Sequence, residues 1–457
     1  MIRRPPRSTL FPYTTLFRSD FMLSQLTYKE YLKVTIPFML STATQPLLGA
    51  VNTAVMGHMS EAFYIAAVSL GVILFNNIYW LFGFLRVSTT SFSAQALGSE
   101  SAKDKFLALV RPLLIAIVIS LIFLIIYPWI FKYYALLMKP ESQVVELMKN
   151  YCDIIIWGAP FVLINYVTLG WLMGQMIIRY TMFMQISMNV LNIVLSIVFV
   201  FIMDMNIQGV AYASLIAQIY GCIVGFIAIY KRGNLIICSE YIQSLKTLQP
   251  FLAMMKVNVD LMFRTVCLLT INNLFAIAGA SMGTVTLASN AIILEIIFIV
   301  VYFIDGMANG VSVFSGKAKG YKDINLLNSV LKISLRCLAV FIIFISVIMY
   351  ITKSYFINMM TDLAVVANYA NDYSIYLILH PICACVGLLL YGMYTGIGNT
   401  ASIRNMMFVA VIFFYICQKI LMSYLGNDGI WLTYNLTYLL ESIILILYLP
   451  SLKKYFN

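Results

Sequence analysis

The chain has 457 residues, of which 62% are hydrophobic and 10% are charged, and its mean hydropathy is +0.92. Soluble domains carry about 25% charged residues, so this composition excludes a soluble protein and indicates an integral membrane protein. The formal charge of +11 does not indicate nucleic-acid binding, because the 29 Lys and Arg are distributed unevenly with respect to the apolar segments.

Residues 1–19 do not fit the pattern of the rest of the chain. They contain several Arg and no acidic residue, and they lack the apolar run of a signal peptide. The string resembles translated sequencing-adaptor sequence, so we interpret 1–19 as a non-native, adaptor-derived segment and leave it out of the fold prediction. A genuine basic N-terminal arm is the alternative interpretation.

Twelve apolar segments follow, each long enough to cross a hydrocarbon core of about 30 Å as a helix. The alternating pattern of a membrane β-barrel is absent. The sequence therefore predicts an all-α integral membrane protein with twelve transmembrane helices. The predicted spans are 34–57, 63–87, 106–130, 150–175, 180–203, 207–230, 251–280, 285–310, 327–352, 370–398, 405–425 and 429–451.

Two parts of the sequence repeat at a constant distance. The segment FSAQALGSESAKDK from Phe92 returns in altered form as FSGKAKGYKDINLL from Phe314, 222 residues later (314 − 92 = 222), and Gly174 and Gly396 keep this offset. Two related membrane halves are typical of transporters with a substrate path between the repeats. We predict an N-terminal six-helix lobe at 20–232, a cytoplasmic inter-lobe linker at 233–250 and a C-terminal six-helix lobe at 251–457.

The basic residues predict the orientation in the membrane. Nineteen Lys and Arg lie in the even-numbered loops and near the two ends, whereas the other side has only Lys132, Lys139, Lys149 and Lys353. Cytoplasmic loops are enriched in Lys and Arg, so both termini are predicted to be cytoplasmic. Eight cysteines, mostly within spans, and two histidines do not supply the ligand spacing of a metal site, and no pattern indicates a cofactor.

Ionisable residues inside the spans are functional candidates, because burying a charge in lipid is costly. The deep ones all lie in the second half: Asp260, Arg264, Glu295, Asp305, Lys419 and Glu441. Asp260 and Arg264 are four residues apart and can pair on one helix face, either as a structural ion pair or as part of a coupling site. Glu295 would come near the level of Arg264, and two carboxylates that share one Arg favour proton binding.

We therefore predict Asp260, Glu295 and Asp305 as ion-coupling residues, with Arg264 tuning them. Asp305 ranks below Glu295, because we place it nearer the cytoplasmic end, where water can solvate it.

Polar residues form stripes in the otherwise neutral first half. The span 5 stripe comprises Gln185, Asn189, Asn192 and Ser196, at intervals of four, three and four residues, which place them on one helix face. In span 1, Gln45 and Asn52 are seven residues apart and share a face. We predict that these six residues line a wet cavity that holds substrate or ion; hydrogen bonding between helices is the alternative.

Several motifs occur in order across nearly all of 30–451. They are IPFMLSTATQPLLGAVNTAVMGH from Ile36, FNNIYWLFGFLRVSTTSFSAQALG from Phe75, NVDLMFRT from Asn258, LASNAIILEIIFIVVYFIDGMANG from Leu287 and the RNMM stretch that ends at Met407. Through them the chain resembles the multidrug and toxic compound extrusion (MATE) family, in its DinF-like branch. The resemblance implies two pseudo-symmetric six-helix lobes around a central cleft, in a bacterial inner membrane. It also implies efflux of cationic or amphipathic small molecules by antiport with H⁺ or Na⁺.

Four positions depart from the family pattern by replacing an acidic residue: Asn52 in span 1, Ser196 in span 5, Ser312 in span 8 and Tyr391 in span 10. An amide or a hydroxyl does not exchange protons near pH 7. The proton site that relatives carry in the first lobe is therefore not expected here. We expect a monomer that binds a small-molecule substrate and a counter-ion within the lipid bilayer, without enzyme activity.

Three alternatives remain open. A lipid-linked saccharide flippase of the same superfamily would need a more cationic cleft for its pyrophosphate than Arg264 and Lys419 supply. A polytopic membrane enzyme, such as an acyl or glycosyl transferase, would need a His- or Asp-centred cluster at one membrane face. A decayed carrier without ion coupling would account for the four neutral positions.

Overall fold

The computed structural model describes residues 26–57, 62–361 and 363–456, except for the side chains of 45–57, 62 and 65. Segment 1–19, interpreted above as non-native, lies outside the described residues. The described part of the chain is almost entirely helical and contains no strand. The predicted all-α class is therefore confirmed.

The first half contributes eight helices. Gly83 separates two helices within one predicted span, and a 3₁₀ turn that ends at Gly158, followed by Pro160, separates two others. The helices are α1 (Tyr28–Gly57), α2 (Ala62–Phe82), α3 (Phe84–Gly98), α4 (Ala102–Met138), α5 (Ser142–Ile155), α6 (Ala159–Gly174), α7 (Ile178–Ile197) and α8 (Asn206–Arg232).

A short helix, α9 (Ser239–Gln243), lies in the predicted linker between the halves. The second half then contributes α10 (Leu248–Ser281), α11 (Thr284–Tyr321), α12 (Ile324–Met360), α13 (Ala364–Asp372), α14 (Tyr376–Ile397), α15 (Thr400–Leu425) and α16 (Asn427–Tyr448). Eleven helical segments of the described chain are long and apolar enough to cross a membrane. With its 30 residues, α1 has the length of a further crossing and corresponds to the first predicted span.

Several helices extend farther than the sequence predicts, and two of these extensions change the position of a charged residue. Span 2, predicted to end at 87, continues in α3 to Gly98, and span 8, predicted to end at 310, continues in α11 to Tyr321. Arg86 therefore lies roughly three turns before the end of its helix, and Asp305 roughly four turns before the end of its own. Both charges are deeper in the bundle than their predicted positions.

The two halves repeat not only their sequence but also their packing. The contacts α3–α6, α7–α8 and α1–α7 in the first half correspond to α11–α14, α15–α16 and α10–α15 in the second. A Cβ on Gly170 would meet the carbonyl oxygen of Arg86, and a Cβ on Gly392 would meet that of Ala308, at positions 222 residues farther along the chain. Small residues allow transmembrane helices to approach this closely, so the same tight crossing occurs once in each lobe.

The lobes join at the end of the bundle where α1 begins and where α3 and α11 end, which we call the base. Gly98 and Gly320 meet there with almost no space between their backbones. Nearby, Ser91 Oγ and Gln95 Nε2 donate to the Gly396 carbonyl at 3.0 and 2.9 Å. Farther from the base, Thr42 Oγ1 donates to the Tyr302 carbonyl at 2.8 Å. Among the described residues, the other hydrogen bonds between the lobes lie between this level and the base.

The tight contact at the base gives a first prediction. Gly98→Ala should keep the lobes apart at the base, because the added Cβ would overlap the Lys317 carbonyl and the Gly320 backbone. We expect a cysteine at the neighbouring Ser99 to react several-fold faster with a membrane-impermeant maleimide in this background, after subtraction of labelling at the native cysteines.

The matched control is Gly158→Ala, whose Cβ would meet only Leu215 Cδ1 at an ordinary 3.6 Å. If both variants label Ser99→Cys at the same rate, the contact does not hold the base closed.

Candidate functional site

An ion pair joins the two lobes in the interior of the bundle. Arg86 Nη2 on α3 lies 3.8 Å from Asp305 Oδ2 on α11, and the two side chains are 18% and 31% exposed. Charges that are partly removed from water interact more strongly than surface pairs. Arg86 stands at the predicted end of span 2, so the sequence analysis counts it with the basic residues of the cytoplasmic loops. This assignment is wrong, because Arg86 lies within helix α3 and gives the first half a charge in the interior of the bundle.

A small cavity of about 10 Å³, roughly the space of one water molecule, lies beside the Asp305 carboxyl group between α3, α11 and α14. Its polar lining comes from Thr90, Asp305, Asn309, Ser312, Tyr391 and Thr395. Asn309 Nδ2 donates to Asp305 Oδ2 at 3.3 Å. Ser312 and Tyr391 are two of the four positions at which the family resemblance leads one to expect an acid, and in this lining Asp305 supplies the carboxylate.

Arg264 stacks on an aromatic ring. Its guanidinium carbon lies 3.8 Å from the centre of the Tyr391 ring, and its Nε has no hydrogen-bond partner among the described residues. A cation over the face of an aromatic ring is stabilised by the ring quadrupole. The ring of Tyr391 therefore contacts the Arg264 cation at a position where the family resemblance leads one to expect a carboxylate.

The predicted pairing of Asp260 with Arg264 is wrong. Asp260 is 3% exposed, and its carboxylate accepts a hydrogen bond from Arg404 Nη1 at 2.8 Å and another from Thr400 Oγ1 at 2.9 Å. Both partners lie on α15, which packs against α10. Asp260 faces that helix, whereas Arg264, one turn on, reaches Tyr391 on α14. Asp260 is thus neutralised within the second lobe.

Glu295 lies in the half of α11 farther from the base, and its side chain is exposed. None of the three ion pairs between described residues includes it. Tyr302, seven residues later on the same helix face, lies between Glu295 and Asp305 along α11. The structure therefore does not bring Glu295 and Asp260 together on one Arg, and it places Glu295 about three turns from Asp305 on α11.

The polar stripe of span 5 lies inside the first lobe. Its four residues, Gln185, Asn189, Asn192 and Ser196, are all buried. Asn189 Nδ2 donates to Thr44 Oγ1 on α1 at 3.1 Å, and Asn192 Nδ2 donates to Ser214 Oγ on α8 at 3.3 Å. In this conformation the stripe hydrogen-bonds α7 to its neighbours. Gln45 and Asn52, the predicted span 1 partners, have side chains outside the described residues.

Glu441 on α16 is a buried acid that the sequence places in a span but does not select as a coupling residue. It is 7% exposed, and its Oε1 has no hydrogen-bond partner among the described residues. Arg264 is its electrostatic neighbour. The sequence does not select Arg404 either, because its position before span 11 counts as a loop. Its presence in the family stretch Arg404-Asn405-Met406-Met407 is the signal that could have identified it.

Comparison with known proteins agrees with this architecture. The family model MatE matches residues 37–198 and 261–421, once in each half. The chain belongs to the MatE family. It is 30% identical over 397 residues to DNA damage-inducible protein F of Escherichia coli (strain K12), an alignment that covers 87% of this chain and 86% of the relative. The family resemblance is thus confirmed, and the protein is a multi-pass transporter of the multidrug and toxic compound extrusion family.

More distant relatives share the fold. The chain is similar to a mutant of the Vibrio cholerae MATE transporter VcmN, with a TM-score of 0.83 and 17% identity over 94% of this chain and 98% of that one. It is also similar to a MOP superfamily transporter from Pyrococcus furiosus, with a TM-score of 0.76 and 19% identity over 94% of this chain and 97% of that one. The predicted architecture of two lobes is confirmed.

The Asp260 ion pair gives a second prediction. Arg404→Gln should lower the free energy of unfolding by about 3 kcal/mol, because it leaves the Asp260 carboxylate buried without its counter-charge. The double variant Asp260→Asn with Arg404→Gln should recover most of this loss. Chemical unfolding of detergent-solubilised protein measures both values.

Lys419→Gln is the matched control, since Lys419 is an exposed cation on the same helix whose ammonium lies 4.4 Å from the Tyr415 ring centre. If Asp260→Asn abolishes transport while leaving stability unchanged, Asp260 is a transport residue and the structural role assigned here is wrong.

Proposed function

We propose that the protein exports amphipathic small molecules, cationic ones included, in exchange for H⁺ or Na⁺, and that Asp305 is the ion-coupling carboxylate. The observation that carries this proposal is the Arg86–Asp305 ion pair, because it joins the two lobes that must move apart during alternating access. Neither Asp260, which is neutralised within one lobe, nor the exposed Glu295 has this position.

The ion pair couples cation binding to lobe movement in a simple way. When Asp305 is ionised, its charge attracts Arg86 and stabilises the conformation with a closed base. Binding of H⁺ to the carboxylate removes its charge, and binding of Na⁺ beside it competes with the guanidinium. Either event weakens the attraction between the lobes and so favours opening of the base. A ligand shifts such an equilibrium only through its different affinity for the two states.

The cavity beside Asp305 suits such a counter-ion. Its space is that of a single water molecule, and its lining combines a carboxylate with hydroxyl and amide groups, such as those of Ser312 and Asn309. Hard cations prefer oxygen ligands of this kind. Farther from the base, the exposed Glu295 and the ring of Tyr302 give α11 a polar face that leads toward Asp305.

The orientation predicted from the basic residues determines the direction of transport. It places the base at the cytoplasm, so the conformation described here is closed on the cytoplasmic side and releases substrate on the opposite side. A counter-ion that enters from outside and reaches Asp305 then returns the carrier to its inward-facing state. We propose that both termini are cytoplasmic, that the membrane is a bacterial inner membrane, and that one chain forms the complete path.

For the substrate, the α11 carboxylates favour a cationic head group and the aromatic rings of Tyr302 and Tyr391 favour a flat apolar body. The polar residues of spans 1 and 5 are also proposed to contact the substrate. They would face the cleft only after the helices of the first lobe rearrange. The flippase alternative requires a cationic cleft for a pyrophosphate. Arg86 adds a positive charge to this region, but its proximity to Asp305 offsets it.

The coupling role of Asp305 gives a third prediction. The test uses proteoliposomes that contain the chain from Met22, the first methionine after the adaptor-like segment 1–19. Asp305→Asn should reduce export of a cationic dye driven by a pH or Na⁺ gradient to the leak rate, because the amide cannot bind H⁺ or pair with Arg86. Glu295→Gln should slow export without abolishing coupling, because this residue lies on the route and not at the pair.

Asp153→Asn serves as the control, since that carboxylate accepts a hydrogen bond from Tyr127 within the first lobe at 2.7 Å. Full gradient-driven export by Asp305→Asn would rule out the proposed coupling residue. A wild-type protein that equilibrates dye without using either gradient would instead identify an uncoupled carrier.

A further inference from the structure

A cavity of about 290 Å³ opens at the base, where both lobes meet the linker. Its lining includes Gln95 and Ser99 from the end of α3, Arg111 from α4, Met254 from α10 and Lys319 from α11. It is distinct from the small cavity beside Asp305, which shares none of these residues. All the contributing helices begin or end near the base, so the cavity lies at the level of a membrane–water interface.

The two cations of this cavity are held by carbonyl oxygens. Arg111 Nη2 donates to the Ser244 carbonyl of the linker at 3.3 Å, and Lys319 Nζ donates to the Ile397 carbonyl at 2.6 Å. Neither cation belongs to an ion pair formed between described residues. The Arg111 Nε has no hydrogen-bond partner among those residues. The cavity thus has a guanidinium with an unused N–H and an ammonium in its lining, and both kinds of group bind phosphate oxygens.

One acid, Asp104, also lines the cavity. Its Oδ2 accepts a hydrogen bond from Ser99 Oγ at 3.3 Å. Arg111, Lys319 and Asp104 together give the lining a formal charge of +1. A phosphodiester carries one negative charge, so it would balance this lining.

The remaining lining is apolar, with Phe92, Leu107 and Met254 among its members. A ligand with a phosphate group and an adjoining hydrocarbon part can therefore contact both kinds of surface. Arg111 also stacks over the Phe251 ring at 5.7 Å, which fixes its direction between α4 and α10.

We propose that this cavity binds a phosphate group at the base and that the bound group stabilises the base-closed conformation. The phosphate comes either from a phospholipid of the adjoining leaflet or from a soluble phosphate compound. Because Arg111 belongs to the first lobe and Lys319 to the second, both can contact one phosphate only while the lobes are together at the base. Binding is thus linked to conformation, and occupancy slows the opening that transport requires.

The test compares purified protein in nanodiscs of neutral phosphatidylcholine with protein in nanodiscs that also contain phosphatidylglycerol. We expect the anionic lipid to raise the thermal unfolding midpoint and to reduce maleimide labelling of Ser99→Cys at least about five-fold, the lower range of measured linkage effects. Arg111→Gln and Lys319→Gln should each lose both responses. A parallel arm adds inorganic phosphate to neutral nanodiscs, and a response confined to that arm would identify a soluble ligand for the same site.

Lys256→Gln is the matched control, because Lys256 is an exposed cation on α10 near the base that does not line the cavity. It should respond as the wild type does. If the Arg111 and Lys319 variants, once shown to be folded, respond to anionic lipid like Lys256→Gln, the effect is general surface electrostatics and the proposed site is wrong. No response of the wild type in either arm would also overturn it. These readouts do not require transport, so their failure leaves the role of Asp305 untouched.

Discussion

The close approach of α3 and α11 determines where the charges of this transporter meet. Glycines at the two helix ends let the backbones touch at the base, and this contact aligns the helices so that Arg86 and Asp305 face each other several turns away. Bulkier residues at the crossing would separate the helices and leave two unpaired charges inside a membrane protein, which is energetically costly. The ion pair thus depends on the glycine contact between α3 and α11 at the base.

Much of the fold follows from the sequence, because the membrane limits what an apolar chain can form. Long hydrophobic runs must be helices that satisfy their own backbone hydrogen bonds, and the repeat at 222 residues shows that the two halves pack alike. The sequence determines the ends of the helices less well than their existence. The segments that follow Arg86 and Asp305 contain Ser, Thr, Lys and Gly, so their hydropathy resembles that of loops, although tertiary packing keeps them helical.

Tertiary packing, which the sequence does not reveal, also determines the candidate site. The sequence predicts Asp305 as a coupling residue, but it determines neither its rank among the candidates nor its partner. Partners in a helical bundle come from other helices, and the choice between Arg264 and Arg404 for Asp260 depends on how α10 is rotated relative to α15. Spacing along a single helix identifies only a partner on that helix, which for Asp260 is Arg264. The polar stripe of span 5 was equally ambiguous, because residues that line a cleft and residues that bond two helices share the same periodicity.

The tight helix crossing occurs twice in the molecule, but the ion pair occurs once. At the offset of 222 residues, the counterpart of Arg86 is Ala308 and the counterpart of Asp305 is Gly83. Each lobe therefore supplies one charge, from a position that its twin leaves without one. Two copies of either lobe could reproduce the shape of the assembled protein but not its electrostatic contact. The duplicated halves have become complementary, and neither can replace the other.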